Sequence, residues 1–398
     1  MVDIFELIRQ KCPDGIPMQP IGKVAKICKG HELSRGKLSE TKTDETPYPV
    51  MNMGTSPSGY WSKANREAGT ITISGHGMTS GALNWFDEPF FASDGCYVFE
   101  PTDEIMPRYL YYALLARHRF LINSVKGELI RHLYPGDIAR VQVPVPPLQI
   151  QREIVAILDK FDAYCNSITA GLAGELEMRR KQYRYWRDKI FQDLLDEGCG
   201  MKAIEELGKF DQASGIKKDE LLSEGMPCLH YGQVYTTYDI EFKEPVSYVS
   251  DDTYAVSAKA RHGDVVVTLA ETADLGFVGK AVAQVSGVDV AISMHAGIIR
   301  LDPAEMDAKF LAYYMDTHKF WMQKDRCKVG TSIIGIRVPL WQKIKVSVPD
   351  MARQREIVGI LDKFRELERE LERELELRRK QYGYYRDMLL AFPEQKGA

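Results

Sequence analysis

An internal duplication constrains this chain more than any other feature of its sequence. Residues 151–161 recur as residues 354–364 with ten identities in eleven positions, at an offset of 203 residues. Residues 179–188 recur as residues 378–387 with eight identities in ten positions, at an offset of 199. Because chance does not produce such agreement twice in one chain, the fold must contain two copies of one unit. The first copy carries four extra residues between its two blocks.

Both copies of the repeat are predicted to form long helices. Apolar residues recur every three or four positions along residues 148–196 and again along residues 351–392, which places them on one stripe of a helix. Four extra residues add about one helical turn, roughly 6 Å, so the stripe is nearly preserved. Two such helices packed along their stripes would form a rod that holds two modules at a set distance.

The segments that precede the helices share an order of elements although their residues differ. Each copy shows two short strand-like runs, then a helical stretch, then a strand that prolines end directly before the long helix. The strand-like runs are residues 70–74, 96–99, 264–269 and 297–301, the helical stretches are residues 107–120 and 308–322, and the proline-marked strands are residues 141–147 and 344–349.

The predicted fold class is α+β with an internal tandem duplication. Two α/β modules are separated by two long coiled-coil helices, and each helix follows its own module. The predicted boundaries are residues 1–147 for the first module, 148–196 for the first helix, 197–350 for the second module, 351–392 for the second helix and 393–398 for a tail.

The composition is that of a folded protein without an overall basic field. The 398 residues are 44% hydrophobic and 27% charged, with a net charge of −4. Two or three domains can therefore each bury a core, and a polyanion would have to be held by local basic patches. The seven cysteines occur singly, the N-terminus lacks the apolar run of a signal peptide, and no stretch reaches the length of a membrane span. We expect a cytoplasmic protein.

The sequence lacks the motifs that would make the modules enzymes. The eight histidines show no metal-ligand spacing, and neither an ATP-binding P-loop nor the Asn-Pro-Pro-Tyr run of amino-methyltransferases occurs. We therefore expect no catalytic residues and no metal site. Glycine-rich residues 74–81 follow a predicted strand, but their spacing differs from the dinucleotide-binding fingerprint. Three interpretations of this loop stay open: a nucleotide site, a plain turn and a DNA-facing loop.

Two divergent modules separated by two near-identical helices resemble the specificity subunits of type I restriction-modification systems. The resemblance is carried by residues 145–155, 157–161, 179–183, Tyr185 and 187–188, with their second-copy equivalents. It implies a non-catalytic subunit without a cofactor of its own, in which each module recognises one half of a bipartite double-stranded DNA target. The two helices would pack antiparallel, fix the spacing and dock two modification subunits. Those partners would bind S-adenosylmethionine and methylate adenine, and motor-nuclease restriction subunits would be further partners.

Candidate DNA contacts are basic, histidine and hydroxyl side chains of the modules, because such groups donate hydrogen bonds to phosphates and base edges. In the first module they are Lys29, His31, Arg35, Lys37, His76, Thr79, Ser80, Arg131 and His132. In the second module they are Lys217, Lys218, Thr331, Ser332 and Arg337. Ile334 and Gly335 stand where the first copy has Arg131 and His132, so the two modules cannot make the same contacts there. The alternative for the basic stretches is a solvated face without a partner.

Candidate contacts with the modification subunits lie on the repeated part of the two helices. They combine aromatic residues of the stripe with neighbouring arginines, and they are Arg179, Arg180, Tyr183, Trp186, Arg378, Arg379, Tyr382 and Tyr385. Because the aromatic residues are spaced by three and four, we interpret them as packing residues rather than as a stacking platform for single-stranded nucleic acid. Their packing partner is either the other helix or a modification subunit.

Two other classes of function compete with DNA recognition. A non-enzymatic scaffold would bind protein through its coiled coil and other ligands through its modules, and its partner-bound complex would have no affinity for DNA. An enzyme, such as a nuclease or a methyltransferase, would act on DNA as the purified chain, and the missing motifs argue against it. Under DNA recognition, deletion of residues 370–373, one unit of a four-residue repeat, is expected to change the spacer between the half-sites.

Overall fold

The computed structural model describes residues 4–127, 131–213, 215–272 and 276–392. The chain forms two compact units: Met1–Leu172 with Glu374–Ala398, and Ala173–Arg373. The division therefore falls inside the two long helices, and each unit holds one module with part of both helices. The predicted tail, residues 393–398, lies outside the described residues. None of the described helices is long and apolar enough to cross a membrane.

Within its described residues, the module of the first unit contains three sheets. Its elements in chain order are α1 (Ile4–Lys11), β1 (Met18–Pro20), α2 (Ile21–Val24), β2 (Ala25–Lys29), a 3-10 helix (Arg35–Lys37), β3 (Tyr48–Met51), β4 (Tyr60–Trp61), β5 (Thr70–Ser74), β6 (Leu83–Phe86), β7 (Phe91–Ala92), β8 (Cys96–Pro101), α3 (Pro107–Ala116), α4 (His118–Asn123), α5 (Pro135–Ala139) and β9 (Gln142–Pro144). The main sheet has the order β2-β8-β5-β6, a second sheet has the order β4-β3-β7, and β1 pairs with β9. Helix α6 (Leu148–Asp196) follows β9 after two prolines.

The module of the second unit repeats this order of elements with longer segments between the shared strands. Its elements are β10 (Met201–Ala203), α7 (Ile204–Leu207), β11 (Gly208–Gln212), a 3-10 helix (Lys218–Glu220), β12 (Met226–Leu229), α8 (Gln233–Thr236), β13 (Glu241–Phe242), β14 (Ser247–Val249), α9 (Asp251–Val256), β15 (Lys259–Ala260), β16 (Val265–Thr268), β17 (Ala270–Thr272), β18 (Ala281–Gln284), β19 (Val290–Ile292), β20 (Ala296–Leu301), α10 (Ala308–Met315), α11 (His318–Asp325), β21 (Lys328–Val329), β22 (Ile333–Ile336), α12 (Val338–Trp341) and β23 (Lys345–Ser347). The main sheet has the order β11-β20-β16-β18-β13, and β10 pairs with β23. Helix α13 (Met351–Leu389) follows.

The sequence patterns locate the central strands of the main sheets and the long helices but leave most of the shorter elements unpredicted. All four strand-like runs are strands of the main sheets: β5, β8, β16 and β20. Helix α6 has the predicted bounds, whereas α13 ends at Leu389, three residues before the predicted end. The two predicted helical stretches are each broken in the middle. In the second module the break has a local cause, because the Thr317 side chain accepts a hydrogen bond from the Phe320 N–H and starts α11 as a new helix.

The long helices belong to the hydrophobic cores of the modules. In the first unit Ile150, Ile154 and Leu158 of α6 are buried in the same cluster as β5, β8 and α3. In the second unit Ile357 and Leu361 of α13 are buried in the same cluster as β16, β20 and α10. Burial of each such side chain contributes about 1.5–3 kcal/mol, so the N-terminal part of each helix folds as part of its own module.

The predicted apolar stripe is wrong at Trp186 of α6 and at Leu367 and Tyr385 of α13, where Tyr385 is 38% exposed. Trp186 is 40% exposed, and the next residue, Arg187, is buried instead. Leu367 is 45% exposed, and the next residue, Glu368, is 3% exposed. Each exposed residue lies three positions after the preceding residue of the stripe, which is about 60° short of a full turn in a helix with 3.6 residues per turn, so the next residue lies closer to the inward face.

Within each unit the parts of α6 and α13 run antiparallel. In the second unit Arg180 pairs with Glu372 at 2.5 Å, and the Arg365 guanidinium lies 5.0 Å from the Tyr183 ring. Residue numbers thus rise along one helix as they fall along the other. In the first unit the ring of Phe161 lies 6.1 Å from that of Tyr382.

Candidate DNA interface and helix junctions

One end of the main sheet in the first module carries two of the predicted DNA contacts. Lys29 is the last residue of β2, and both it and His31 have exposed side chains. The backbone of this turn is held by β8 and the residues before it: the Gly30 N–H donates to Cys96 O at 3.0 Å, and the His31 N–H donates to Ala92 O at 2.9 Å. The two basic side chains therefore leave the sheet from a fixed backbone.

The glycine-rich loop after β5 lies at the same end of the sheet, because β2 and β5 both pair antiparallel with β8. His76 forms a β-bridge with His132, and their ring centroids are 6.0 Å apart. The Gly77 N–H and the Ser80 hydroxyl both donate to Arg131 O, at 2.9 and 3.0 Å. Four residues predicted separately as DNA contacts therefore lie together in the structure.

The exposure of these side chains differs. Ser80 is 6% exposed and its hydroxyl is bonded inside the loop, so it holds the loop together. Thr79 and Arg131 have exposed side chains, as do Arg35 and Lys37 in the 3-10 helix that follows β2. These four side chains are free to contact a nucleic acid, and they stay predicted contacts.

The second module presents a different charge at the equivalent turn. Its 3-10 helix places Asp219 and Glu220 directly beside the exposed Lys217 and Lys218. The Glu220 carboxylate also accepts a hydrogen bond from the Lys217 N–H at 2.7 Å. The fold of the basic turn is duplicated, but its positive charge is not.

The remaining candidates of the second module do not form one group. Thr331 and Ser332 are exposed between β21 and β22, whereas Arg337 follows the last residue of β22. A four-residue strand separates them by about 13 Å. Strand β22 pairs with β17, whereas the first module has isolated β-bridges in this region. Ile334, a residue of β22, is buried.

Three neighbouring aromatic or histidine residues of the second module were missed by the sequence patterns. His230 and Tyr231 directly follow β12, which belongs to a second sheet, and His295 directly precedes β20 of the main sheet. The ring centroid of Tyr231 lies 4.4 Å from that of His230 and 5.4 Å from that of His295. Burial lowers the pKa of His230, and the positive charges of Lys218 and His295 lower it further. Among the described residues no group of three or more His, Cys, Asp or Glu side chains is placed to hold a metal ion.

The repeated glutamine at the start of each long helix ties that helix to its module. Gln151 accepts a hydrogen bond from the Met106 N–H at 2.8 Å and donates to Glu104 O and Pro146 O at 2.9 and 2.8 Å. Gln354 repeats the arrangement with the Asp307 N–H, Glu305 O and Pro349 O, all at 2.8 Å. Both glutamines are completely buried. The sequence identity of the two blocks thus encodes the same junction twice.

A repeated aspartate makes a second connection between helix and module. The Asp159 carboxylate accepts hydrogen bonds from the Tyr112 hydroxyl at 2.6 Å and from the Arg108 guanidinium at 2.7 Å. The Asp362 carboxylate accepts from the Tyr313 hydroxyl and pairs with the Lys309 ammonium, both at 2.7 Å. Each long helix is therefore held at two points, at its first turn and about two turns further on.

Replacement of either glutamine by leucine is expected to lower the free energy of unfolding of its unit by about 3 kcal/mol, because three backbone groups lose their partner. Urea denaturation of Gln151→Leu and Gln354→Leu measures the loss. Gln182→Leu is the matched control, since Gln182 is exposed on α6 and its change should stay within about 0.5 kcal/mol. Equal losses in all three variants would contradict the role of the junction.

The predicted docking residues of α6 fall into two groups. Tyr183 is 4% exposed and belongs to the core of the second unit, so it packs within the chain. Trp186 is exposed beside Tyr185, with their rings 5.3 Å apart, and Arg179 and Arg180 form ion pairs with Glu175 and Glu372. The two possible packing partners of the aromatic residues were the other long helix and a modification subunit. Tyr183 has its packing partners within the chain.

The predicted docking residues of α13 divide in the same way. Tyr382 is half-buried against Phe161, and Arg378 pairs with Glu374 at 2.8 Å. Tyr385 is 38% exposed beside Tyr384, which is 66% exposed, and Arg379 is exposed. Each long helix therefore presents one exposed pair of adjacent aromatic rings at the same position of the repeat.

Comparison with known proteins identifies the family. The model of the type I restriction modification DNA specificity domain matches residues 13–178 and 199–377. The type I restriction enzyme EcoR124I/EcoR124II specificity subunit of Escherichia coli is 25% identical, with 97% of each chain covered. A putative type I restriction enzyme specificity subunit of Haemophilus influenzae is 26% identical, with 78% of this chain and 79% of the relative covered. The chain therefore belongs to the type I restriction-modification DNA specificity family, with two copies of its domain.

The fold agrees with this assignment. A solved structure described as the structural basis of complex assembly and conformational transition of the type I R-M system superposes with a TM-score of 0.59 at 15% identity, covering 94% of this chain and 96% of that one. The family resemblance drawn from the repeated motifs is confirmed, and so is the function of a DNA specificity subunit. A specificity subunit is the recognition component of its system, so the chain is not itself the enzyme.

Proposed function

We propose that each module recognises one half of a bipartite double-stranded DNA target and that α6 and α13 set the distance between the half-sites. The exposed basic and hydroxyl side chains at the ends of the main sheets would contact the DNA. Two modification subunits would dock on the helices, bind S-adenosylmethionine and methylate adenine. Restriction subunits would join the same complex in the cytoplasm.

The duplicated helix junction is the observation that carries this proposal. A helix can serve as a spacer only if the module at its end does not rotate freely about it. The Gln151 and Asp159 contacts hold α6 on the first module, and the Gln354 and Asp362 contacts hold α13 on the second. A scaffold that binds unrelated ligands through its two modules has no need for the same junction twice.

The exposed aromatic pairs support two equivalent docking sites. We name them the α6 aromatic pair, Tyr185 and Trp186, and the α13 aromatic pair, Tyr384 and Tyr385. They occupy the same place in the two copies of the repeat, and exposed cations flank both. Tyrosine, tryptophan and arginine are the residues that dominate protein interfaces energetically. Two copies of one partner would therefore find the same anchor, once in each unit.

Replacement of both residues of the α6 aromatic pair by alanine is expected to weaken the binding of one modification subunit by about thirtyfold, the effect of losing a hot spot of about 2 kcal/mol. Native mass spectrometry of the complex should then show one modification subunit where the unchanged chain binds two. The same change in the α13 aromatic pair should remove the other.

The control for this prediction is Tyr164→Ala. Tyr164 is also a strongly exposed aromatic residue of α6, but the second copy has Leu367 at the corresponding position. Its variant should bind two modification subunits. Undiminished binding by both aromatic-pair variants would exclude the pairs as anchors.

The test of the proposed function is base-resolution methylome sequencing of the host with the gene intact and deleted. We expect the deletion to abolish methyladenine in one bipartite motif with a fixed gap. An unchanged methylome, in a strain where the chain co-purifies with a methyltransferase, would overturn the proposal. A partner-bound complex that has no affinity for DNA would favour the scaffold function. Methylation of DNA by the purified chain alone would favour the enzyme function.

A further inference from the structure

His295 has a backbone conformation that is uncommon for a residue other than glycine. Its φ angle is +66°, and it is the one non-glycine residue with positive φ in the described part of the chain. The left-handed region disfavours residues with a Cβ atom, and such conformations persist where the surrounding structure holds them. Such conformations cluster at ligand-binding sites, where a strained backbone can direct a side chain in a way that an ordinary turn does not allow.

The surroundings of His295 fix the turn on both sides. The His295 carbonyl accepts a hydrogen bond from the Leu269 N–H at 2.7 Å. Two residues earlier, the Ser293 hydroxyl accepts from the Tyr231 N–H at 2.8 Å. The His295 ring meets the Tyr231 ring edge-on, yet the residue stays exposed. The backbone of this turn is thus fixed, and it presents an imidazole at the surface against the Tyr231 ring.

The shared fold does not require a histidine at this place. In the first module the equivalent hydrogen bond is donated by the Gly75 N–H and accepted by the Gly95 carbonyl at 2.9 Å. The two residues His31 and His76, both predicted DNA contacts, follow the strands on either side of that turn. His295 therefore adds a hydrogen-bonding side chain to a turn that the first module builds with glycine.

The neighbours of His295 add polar groups beside this turn. His230 lies against Tyr231, and burial lowers its pKa. Its Nδ1 atom accepts a hydrogen bond from the Gly232 N–H at 3.2 Å, so the neutral ring offers its Nε2–H as a donor. Lys218 is exposed and close enough to influence His230 electrostatically. A lysine ammonium can contact a phosphate while the neighbouring imidazole rings hydrogen-bond a base edge, so this group of side chains suits contact with DNA.

We propose that His295 is a specificity-determining residue of the second module and hydrogen-bonds the major-groove edge of a purine in the half-site that this module recognises. The inference rests on the proposed function and adds to it one named contact. The N7 atom of either purine accepts a hydrogen bond, and so does O6 of guanine, so an imidazole N–H at the surface finds a partner on either base.

The variant that separates recognition from folding is His295→Gly. Glycine relieves the positive φ, so the second unit should unfold at the same urea concentration as before or at a higher one. The complex of this variant with its modification subunits is assayed on duplexes that carry the motif methylated by the unchanged complex, with single base-pair changes in each half. We expect about tenfold weaker discrimination at one or two positions of one half-site, and unchanged discrimination in the other.

His262→Ala is the matched control. His262 is an exposed histidine of the same module, but it precedes β16, at the opposite end of the strand from Leu269. Its variant should discriminate like the unchanged chain. His295→Asn, which tolerates positive φ and keeps a donor and an acceptor, should retain recognition or alter the preferred base.

Two results would overturn the inference while leaving the proposed function intact. One is wild-type discrimination at every position by His295→Gly. The other is an equal loss of methylation on all duplexes together with easier unfolding, which would make His295 a structural residue. If the unchanged complex methylated no bipartite motif, the proposed function itself would fail, and the contact with it.

Discussion

Deletion of residues 370–373 together with residues 171–174 is expected to shorten the spacer between the half-sites by about two base pairs. Each deletion removes four helical residues, roughly 6 Å of rise, and DNA advances roughly 3.4 Å per base pair. Both helices cross from one unit into the other at these positions. The paired deletion shortens both by the same turn, so the contacts between the helices on either side can be kept.

The preferred spacer is measured as the methylation rate on a series of duplexes whose half-sites are separated by increasing numbers of base pairs. Deletion of residues 370–373 alone should also change the spacer, with lower activity, because α6 then keeps a turn that α13 lacks. Alanine replacement of residues 370–373 keeps the length and should keep the spacer. A paired deletion with the original preference would show that helix length does not set the gap.

The sequence predicts the framework well because the framework depends on local patterns. Alternation in residues 70–74 gives β5, and the spacing of apolar residues gives α6 with its observed bounds. The repeat also locates Gln151 and Gln354, but not their role. Two of the three partners of each glutamine are backbone groups that lie 45 to 49 positions away, and side-chain patterns carry no information on such contacts.

The candidate site was predicted in part. His76, Ser80, Arg131 and His132 were each selected for their side-chain chemistry, but only strand register shows that they meet. His295 carries no motif, and a positive φ is anticipated from sequence at glycine rather than at histidine. Comparison of the two modules offers a signal, because a histidine stands where the first module has Gly95. This correspondence becomes visible only when the hydrogen bonds of the two turns are compared.

Replacement of Arg187 by methionine is expected to lower the free energy of unfolding of the second unit by about 3 kcal/mol. The Arg187 side chain is 8% exposed, pairs with Asp316 and with Asp188, and lies 5.5 Å from the Tyr183 ring. It thereby joins α6 to the end of α10. Removing one partner of a buried ion pair leaves the other charge uncompensated, at a cost of about 3–5 kcal/mol, and the partial exposure of Asp316 favours the lower value.

Arg386→Met is the matched control because Arg386 occupies the same position of the second repeat. It pairs with its neighbour Asp387, whose side chain is 53% exposed, so its replacement should cost less than about 1 kcal/mol. Urea denaturation compares the two variants, and similar losses would contradict the special role of Arg187. The double variant Arg187→Met with Asp316→Leu should regain part of the lost stability, because it removes the uncompensated carboxylate as well. The recovery would show that the loss in Arg187→Met comes from the uncompensated Asp316 carboxylate rather than from the missing ion pair itself.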